Sequence, residues 1–396
     1  MKKRINRRNF LKVSATVGAG ALFVPEVSAS TLKAETVKAT HDIPVRTLGR
    51  TGIKVPILSM GVMNADNPNV VRAAYNAGLF HFDTANGYQR GRNEEMLGEF
   101  FKDKPRESFC ISTKTRLGFP VTDESEEQFM SAVETSLKRL QMDYVDIFYG
   151  HAFSSVEQVK DPKVIATLQK LKETGKAKFI GFSTHATAQN PELLDAAIEA
   201  GVYDVILISY NFRLDNLQEL NPAIERAAKA GIGLVAMKTM AGGTEDAEGK
   251  KVINTEACLK WAWKNENIAT AIPGFISFEQ LDKNLEAVNN LTLTQDEQQY
   301  LATLCTQDSL FCQQCNACVD QCPENLQIPD LMRAYMYAYG YKFARQAQET
   351  MLEAHLTTDA CAGCDACKVS CTSGFNIGAK IAAIKPIINT PAEFLS

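Results

Sequence analysis

The chain is poor in the features that mark nucleic-acid-binding or membrane-spanning proteins. Beyond the N-terminus it has no long run of Lys or Arg, and 42 basic against 46 acidic residues leave a net charge of −4. A basic face for phosphates is missing, which excludes nucleic acid as the expected partner. No apolar stretch approaches the about 20 residues that cross a bilayer, so no transmembrane helix is expected in the mature chain. At 396 residues the chain exceeds one ordinary domain of roughly 100–200 residues. One barrel of about 250 residues plus a small second domain fits the length.

What is present begins at the N-terminus. Lys2, Lys3, Arg4, Arg7 and Arg8 precede a short apolar stretch over 13–24, and Val27-Ser28-Ala29 is a small-residue cleavage site. This is the order of an export signal. Arg7-Arg8-Asn9-Phe10-Leu11-Lys12 resembles the twin-arginine signal, with Asn6 where Ser or Thr is more usual. Residues 1–29 are therefore expected to be an export signal, 30–45 a linker, and the location periplasmic or otherwise outside the cytoplasm. The alternative is a basic disordered tail. The twin-arginine route moves folded proteins, so cofactors can be inserted before export.

From residue 57 onward, short apolar runs alternate with amphipathic stretches. The runs are 57–61, 81–85, 109–114, 144–151, 177–184, 202–211, 232–239 and 269–275. Helical patterns lie between them, as at 126–140 and 162–174, and Gly78, Gly175, Gly201 and Gly231 stand where helices should end. Eight such units predict an α/β fold, a closed (β/α)8 barrel over 46–292. Residues 46–56, with a turn at Thr51-Gly52, read as a hairpin closing the barrel bottom. A connecting helix is expected within 293–305.

In such barrels chemistry sits at the C-terminal ends of the strands. Those ends carry Asp83, Lys114 and His151, with Tyr88 in the loop after Asp83. Singly, each has an ordinary explanation as a surface residue or a structural hydrogen-bonder. Their arrival together at successive strand ends points to one site.

Phe82-Asp83-Thr84-Ala85-Asn86-Gly87-Tyr88 resembles the F-D-T-A-x-x-Y motif of the aldo/keto reductases. Ser112-Thr113-Lys114 and His151 match that family's strand-three lysine and strand-four histidine. Gly181-Phe182-Ser183, Tyr210-Asn211, and Ile272-Pro273-Gly274 with Asn284 extend the likeness over roughly 45–290. The resemblance implies an oxidoreductase acting on a small carbonyl or alcohol, with Asp83, Tyr88, Lys114 and His151 catalytic. Tyr88 would protonate the carbonyl oxygen, and Lys114, held by Asp83, would lower the phenol's pKa. His151 would orient the substrate.

The resemblance also implies a nicotinamide cofactor, NAD(P)(H), near Ser183, Thr184, Tyr210, Lys238, Gly274, Gln280 and Asn284. Here the chain departs from the family. Thr184 and Leu207 stand where Asn and Gln commonly hold the nicotinamide amide. Gly274, Phe275, Ile276 and Gln280 offer no cation for the 2′-phosphate of NADP. Lys238 is the one nearby cation, and a preference for NADP is not expected.

Eight of the eleven cysteines form two runs of one spacing. They are Cys312, Cys315, Cys318 and Cys322, followed by Pro323, and Cys361, Cys364, Cys367 and Cys371, followed by Thr372 where Pro is usual. This is the bacterial ferredoxin spacing, in which the fourth cysteine ligates the other cluster. Two [4Fe–4S] clusters are expected, one on Cys312, Cys315, Cys318 and Cys371, the other on Cys361, Cys364, Cys367 and Cys322. Disulfides and zinc sites are the rivals. The stretch 328–356 reads as two helices, so 306–396 resembles the α-helical ferredoxins. Cys110, Cys258 and Cys305 are expected to be buried packing residues.

Together these features predict an exported iron–sulfur oxidoreductase that meets a small carbonyl or alcohol substrate and a redox partner protein. No flavin motif is present to join two-electron and one-electron chemistry. The alternatives are an electron-transfer or scaffold protein whose barrel no longer turns over, and an aldehyde reductase that works without its clusters.

Overall fold

The alternation of apolar and amphipathic stretches becomes eight parallel strands in the computed structural model, which describes residues 41–245, 251–306, 309–362, 364 and 366–395. The expected export signal and most of the linker lie outside the described residues. A hairpin, β1 (Val45–Thr47) with β2 (Lys54–Pro56), comes first and pairs antiparallel. The barrel strands are β3 (Met60–Gly61), β4 (His81–Asp83), β5 (Cys110–Thr115), β6 (Val145–Gly150), β7 (Ala177–Thr184), β8 (Val205–Ser209), β9 (Gly233–Met237) and β12 (Ile268–Ala271). A two-stranded excursion, β10 (Thr244–Glu245) with β11 (Lys251–Val252), interrupts the series. The eight strands pair in chain order from β3 to β9 and on to β12. Parallel bridges Leu58–Ala271 and Gly61–Gly274 join the first strand to the last and close the ring.

The helices that follow the strands are α1 (Pro68–Ala77), α2 (Arg92–Phe101), α3 (Asp123–Leu140), α4 (Val156–Lys160), α5 (Pro162–Glu173), α6 (Asn190–Ala200), α7 (Leu217–Lys229), α8 (Thr255–Trp263) and α9 (Phe278–Val288). Their ends follow local chemistry. Thr122 and Ser125 form a reciprocal cap at the start of α3, and Asp161 with Pro162 opens α5. Gly78, with φ 106°, ends α1 in the left-handed conformation that glycine adopts without a Cβ clash.

Two apolar layers result from the alternation of strand side chains. Leu48, Val55, Ile147, Tyr149, Val205, Leu207, Val235 and Ile272 fill the barrel interior. Ile111, Phe148, Ile180, Phe182, Ile206 and Ile208 face the helices. The hairpin plugs the bottom: Arg46 donates to the carbonyls of Trp263, Asn265 and Ile268 at 2.6–3.2 Å. Gly49 sits so close to Gly233 that an added Cβ would lie 2.3 Å from its nitrogen.

Helix α10 (Gln295–Thr306) leads out of the barrel, tied to α8 by a buried Lys260–Glu297 pair at 2.7 Å. The C-terminal segment is helical: α11 (Ile328–Tyr335), extended by a π-turn through Gly340, α12 (Ala344–Glu353) and α13 (Ile377–Ile388). Its own core contains Leu331, Met332, Ala347, Met351, Ile377, Ile381 and Ile384. Cys110 and Cys258 are buried as expected, but Cys305 is exposed at the end of α10, its thiol 3.5 Å from the Phe212 carbonyl. Among the described residues no helix is long and apolar enough to cross a membrane.

Candidate active site

The strand ends bring Asp83, Lys114, His151 and the Tyr88 loop to one mouth of the barrel. Lys114 Nζ meets Asp83 Oδ1 at 2.5 Å and the Thr84 carbonyl at 2.7 Å, and both charged side chains are almost fully buried. A hydroxyl and imidazole chain fixes Asp83 from behind. Ser112 Oγ donates to Asp83 Oδ2 at 2.7 Å, so it accepts from His81 Nε2, whose Nδ1 faces Ser59 Oγ at 3.2 Å. That network assigns the Nε2–H tautomer to His81, and burial brings its pKa down to about 4.

Tyr88 opens a tight turn in which Gln89 and Arg90 both have positive φ. The turn is held from below, because the Gln89 side chain donates to the carbonyls of Met63 and Ala65. The Tyr88 ring meets His151 edge to face at 6.3 Å, and Lys114 Nζ lies 5.1 Å from the ring centroid. Here one expectation is corrected. Lys114 lies over the ring, tied to Asp83, and burial holds the phenol's pKa well above its ordinary value, with Asp83 adding to the rise. Only Arg333 opposes the shift. Burial, then Arg116, Lys114 and Arg333, keeps His151 neutral far below the usual imidazole range. The site is therefore set as a neutral phenol beside a neutral imidazole.

The C-terminal helical segment narrows the mouth. The mouth holds a cavity of about 140 Å³ lined from the barrel by Asn86, Tyr88, Lys114, Arg116, His151 and His185, and from the helical segment by Arg333, Tyr337, Gln346, Thr350 and Glu353. Two ion pairs fasten that lid: Arg116 to Glu353 at 3.1 Å and Arg90 to Glu349 at 3.4 Å. The first cysteine run docks beside it. Thr187 Oγ1 donates to the carbonyls of Gln313 and Gln314, Asn316 donates to Gln189, and Gln313 donates to the Ala241 carbonyl. None of the lid residues was identified from the sequence. His185 follows directly after the end of β7 and was readable by the strand-end rule. Arg333 and its neighbours become site residues only through tertiary packing.

The seven residues expected around a nicotinamide do not line this cavity. Ser183 Oγ accepts from Ala152 N, and Thr184 Oγ1 from Ala186 N, inside the strand ends. The Tyr210 ring packs on Trp261 of α8, and its hydroxyl donates to Asn221. Tyr337 and Tyr341 cap the Lys238 ammonium at 5.2 and 5.4 Å. Burial brings its pKa down to about 7. Gly274, Gln280 and Asn284 sit together on the loop and helix after β12. Gln280 accepts from Ile276 N, and Asn284 Oδ1 is buried without a partner among the described residues. The C-terminal segment thus covers two of the four strand ends that carry these residues, those of β7 and β9. The cavity of about 140 Å³, against the 300–1,000 Å³ usual for a drug-sized ligand, suits a small molecule.

The cysteine runs fit iron–sulfur clusters better than their rivals. All eleven cysteines are unpaired. The runs also interleave. Burial raises the Cys318 thiol, and the sulfurs of Cys315 and Cys371 raise it further. Burial, then Glu324, Cys364 and Cys322, does the same to Cys361. Cys315 Sγ lies 3.5 Å from Thr372 Oγ1. Cys371 of the second run thus stands near Cys318 of the first, and Cys322 of the first near Cys361 of the second, as crossed ligation requires.

Comparison with known proteins agrees with both halves. The Aldo/keto reductase family model matches residues 59–254, and a 4Fe-4S dicluster domain matches residues 311–376. The chain is 30% identical over 291 residues to L-galactose dehydrogenase of Arabidopsis thaliana, covering 63% of this chain and 89% of that protein. It is 26% identical over 316 residues to L-glyceraldehyde 3-phosphate reductase of Escherichia coli K12, covering 64% and 89%. Among solved structures, an aldo-keto reductase of Pseudomonas aeruginosa is 26% identical with a TM-score of 0.52, covering 64% of this chain and 98% of that one. The holo form of the Bacillus halodurans aldo-keto reductase AKR11C1 shares the fold at 23% identity and a TM-score of 0.55, covering 69% and 99%. By barrel topology and sequence kinship, the chain is an oxidoreductase that belongs to the aldo/keto reductase family and carries a 4Fe-4S dicluster domain.

Proposed function

We propose that this protein interconverts a small carbonyl compound and its alcohol in the cavity at the barrel mouth, in exchange with a one-electron redox partner protein. The observation that carries the reading is that one cavity is lined both by Tyr88, Lys114 and His151 and by the domain bearing the cysteine runs. When bound, the clusters supply or accept electrons one at a time. Cys312, Cys315, Cys318 and Cys371 would hold one, and Cys361, Cys364, Cys367 and Cys322 the other. The chain's own residues manage the substrate. Neutral His151 hydrogen-bonds the carbonyl oxygen and orients it, and Tyr88 donates the proton to that oxygen. Two electrons and two protons convert the carbonyl to the alcohol: the partner protein would supply both electrons by way of the clusters, Tyr88 gives one proton to the oxygen as negative charge develops there, and the second proton, to the carbon, comes from solvent. Lys114, pinned by Asp83, presents a fixed cation to the developing negative charge. The test uses anaerobic holoprotein with reduced methyl viologen and a panel of small aldehydes and ketones. Carbonyl-dependent oxidation of the dye with alcohol as product is expected; a dye that stays reduced with every carbonyl rejects the reading.

The covered nicotinamide loops favour a second reading, in which the barrel no longer turns over a nicotinamide-dependent substrate and the chain serves electron transfer or assembly. Both readings share one expectation. With Lys238 under two tyrosine rings and no cation among Gly274, Phe275, Ile276 and Gln280, NADPH lacks the charge-assisted hydrogen bonds worth roughly 1.5–3 kcal/mol each. Calorimetric titration should give weak binding and less than about a tenfold difference between NADPH and NADH. Micromolar NADPH with far weaker NADH defeats this expectation.

Export by the twin-arginine route belongs to the same proposal, on the strength of Arg7-Arg8 and the following Phe10-Leu11-Lys12. Changing both arginines to Lys should retain the protein in the cytoplasm, as fractionation would show. Unchanged export of that variant removes the route.

A further inference from the structure

We propose that the cavity is built for an anionic substrate: Arg333, supplied by the cluster domain, holds the carboxylate of a small oxo acid whose carbonyl lies against Tyr88 and His151. This rests on the carbonyl reading above and names its substrate class.

The charges that reach the cavity are unequal. Lys114, Arg116 and Arg333 line it, against a single carboxylate, Glu353, which already pairs with Arg116 at 3.1 Å. Asp83 is consumed by Lys114. Arg333 is the cation with capacity left. It is 6% exposed on α11, and its Nη1 meets Asp330 at 2.8 Å and Gln314 at 3.5 Å. Its Nε and Nη2 have no protein partner among the described residues and are not sealed from solvent, which leaves both free to donate. Two parallel N–H groups in one plane match the two oxygens of a carboxylate.

Other lining groups ask for a ligand too. Gln346, 8% exposed, lines the cavity with an Oε1 that has no partner, and His185 Nδ1 is likewise unmet among the described residues. Burial and the cations Arg333, Lys238 and Arg116 hold His185 neutral, so an anion entering here meets a field that favours it. The volume of about 140 Å³ limits that anion to a few heavy atoms. A carboxylate next to a ketone or aldehyde satisfies that size, and Arg333, Tyr88 and His151 line the same cavity.

The test is calorimetry on anaerobic holoprotein with three probes: pyruvate, dihydroxyacetone as its neutral counterpart, and inorganic phosphate. Pyruvate should bind at least about tenfold more tightly than dihydroxyacetone, with phosphate the weaker anion. Arg333→Met should lose about tenfold or more for pyruvate and little for dihydroxyacetone, and Arg333→Lys should recover part of the loss. Iron content and absorption near 400 nm report whether the variants keep their domain. The wild-type comparison of the probes needs no variant. Equal affinity for pyruvate and dihydroxyacetone overturns the proposal, as does wild-type pyruvate binding by Arg333→Met. Phosphate binding more tightly than pyruvate overturns the carboxylate assignment. Reduction of dihydroxyacetone without pyruvate binding sinks this inference and leaves the carbonyl reading standing. Pyruvate binding through Arg333 without turnover of any carbonyl does the reverse.

Discussion

Tyr88→Phe should lower carbonyl-dependent turnover by a factor of roughly 10²–10⁴, the share that a positioned proton donor contributes. The substitution keeps the ring, and with it the edge-to-face packing on His151 and the contact with Lys114. Substrate affinity should therefore change little while kcat falls. The pH profile adds a check that a merely structural role would not move. Burial raises the Tyr88 phenol above its ordinary range, so it stays protonated through alkaline pH. Burial and three cations lower His151, so it stays neutral until the pH is well below the ordinary imidazole range. Neither group titrates near neutrality, so neither should put a break in kcat/KM there. A break near pH 6.5 assigned to His151 would contradict its burial, and unchanged turnover in Tyr88→Phe would remove Tyr88 as the donor.

Much of this site was legible because a parallel barrel converts strand ends into a mouth. The run at 177–184 is β7 residue for residue, and Asp83, Lys114 and His151 fall where their strands end. The run at 202–211 exceeds β8, Val205–Ser209, at both ends. The direction of Tyr210 was nonetheless available in the sequence. Val205 and Leu207 point into the barrel, so Ile206, Ile208 and Tyr210 share the opposite parity and face the helices. Burial reversed the inference about the phenol. Adjacency of Lys114 and Tyr88 is visible in a motif, but the desolvation that outweighs a nearby cation depends on the lid. The lid itself was not legible. Arg333 and Glu353 reach Tyr88 and Arg116 across more than 200 residues of chain, and nothing local to α11 or α12 announces that contact. What the sequence could mark was α11 as a helix with an apolar face and one Arg upon it.

Cys371→Ala should remove the cluster of the first run, not that of its own, and bring iron from about eight to about four atoms per chain. The argument is one of position. Thr372, next to Cys371, lies 3.5 Å from Cys315 Sγ, and the Cys318 thiol feels the Cys371 sulfur. Cys322 stands correspondingly with Cys361 and Cys364. The clusters also have unlike surroundings, which lets a spectrum tell them apart. The first run docks on the barrel, where Gln314 donates to Cys312 Sγ at 3.3 Å from its backbone and accepts from Arg333. Near Cys361 the cation is Lys385, which bonds the Ala360 carbonyl at 2.7 Å. Hydrogen bonds and charges of this kind set the potential and the paramagnetic signal of a cluster. The signal that survives in Cys371→Ala should therefore be the one that survives in Cys315→Ala. The signal that survives in Cys322→Ala should match that of Cys364→Ala. If Cys371→Ala instead keeps the signal of Cys364→Ala, each run holds its own cluster and the crossed assignment is wrong. Zinc in place of iron in the anaerobically purified protein would end the cluster assignment altogether.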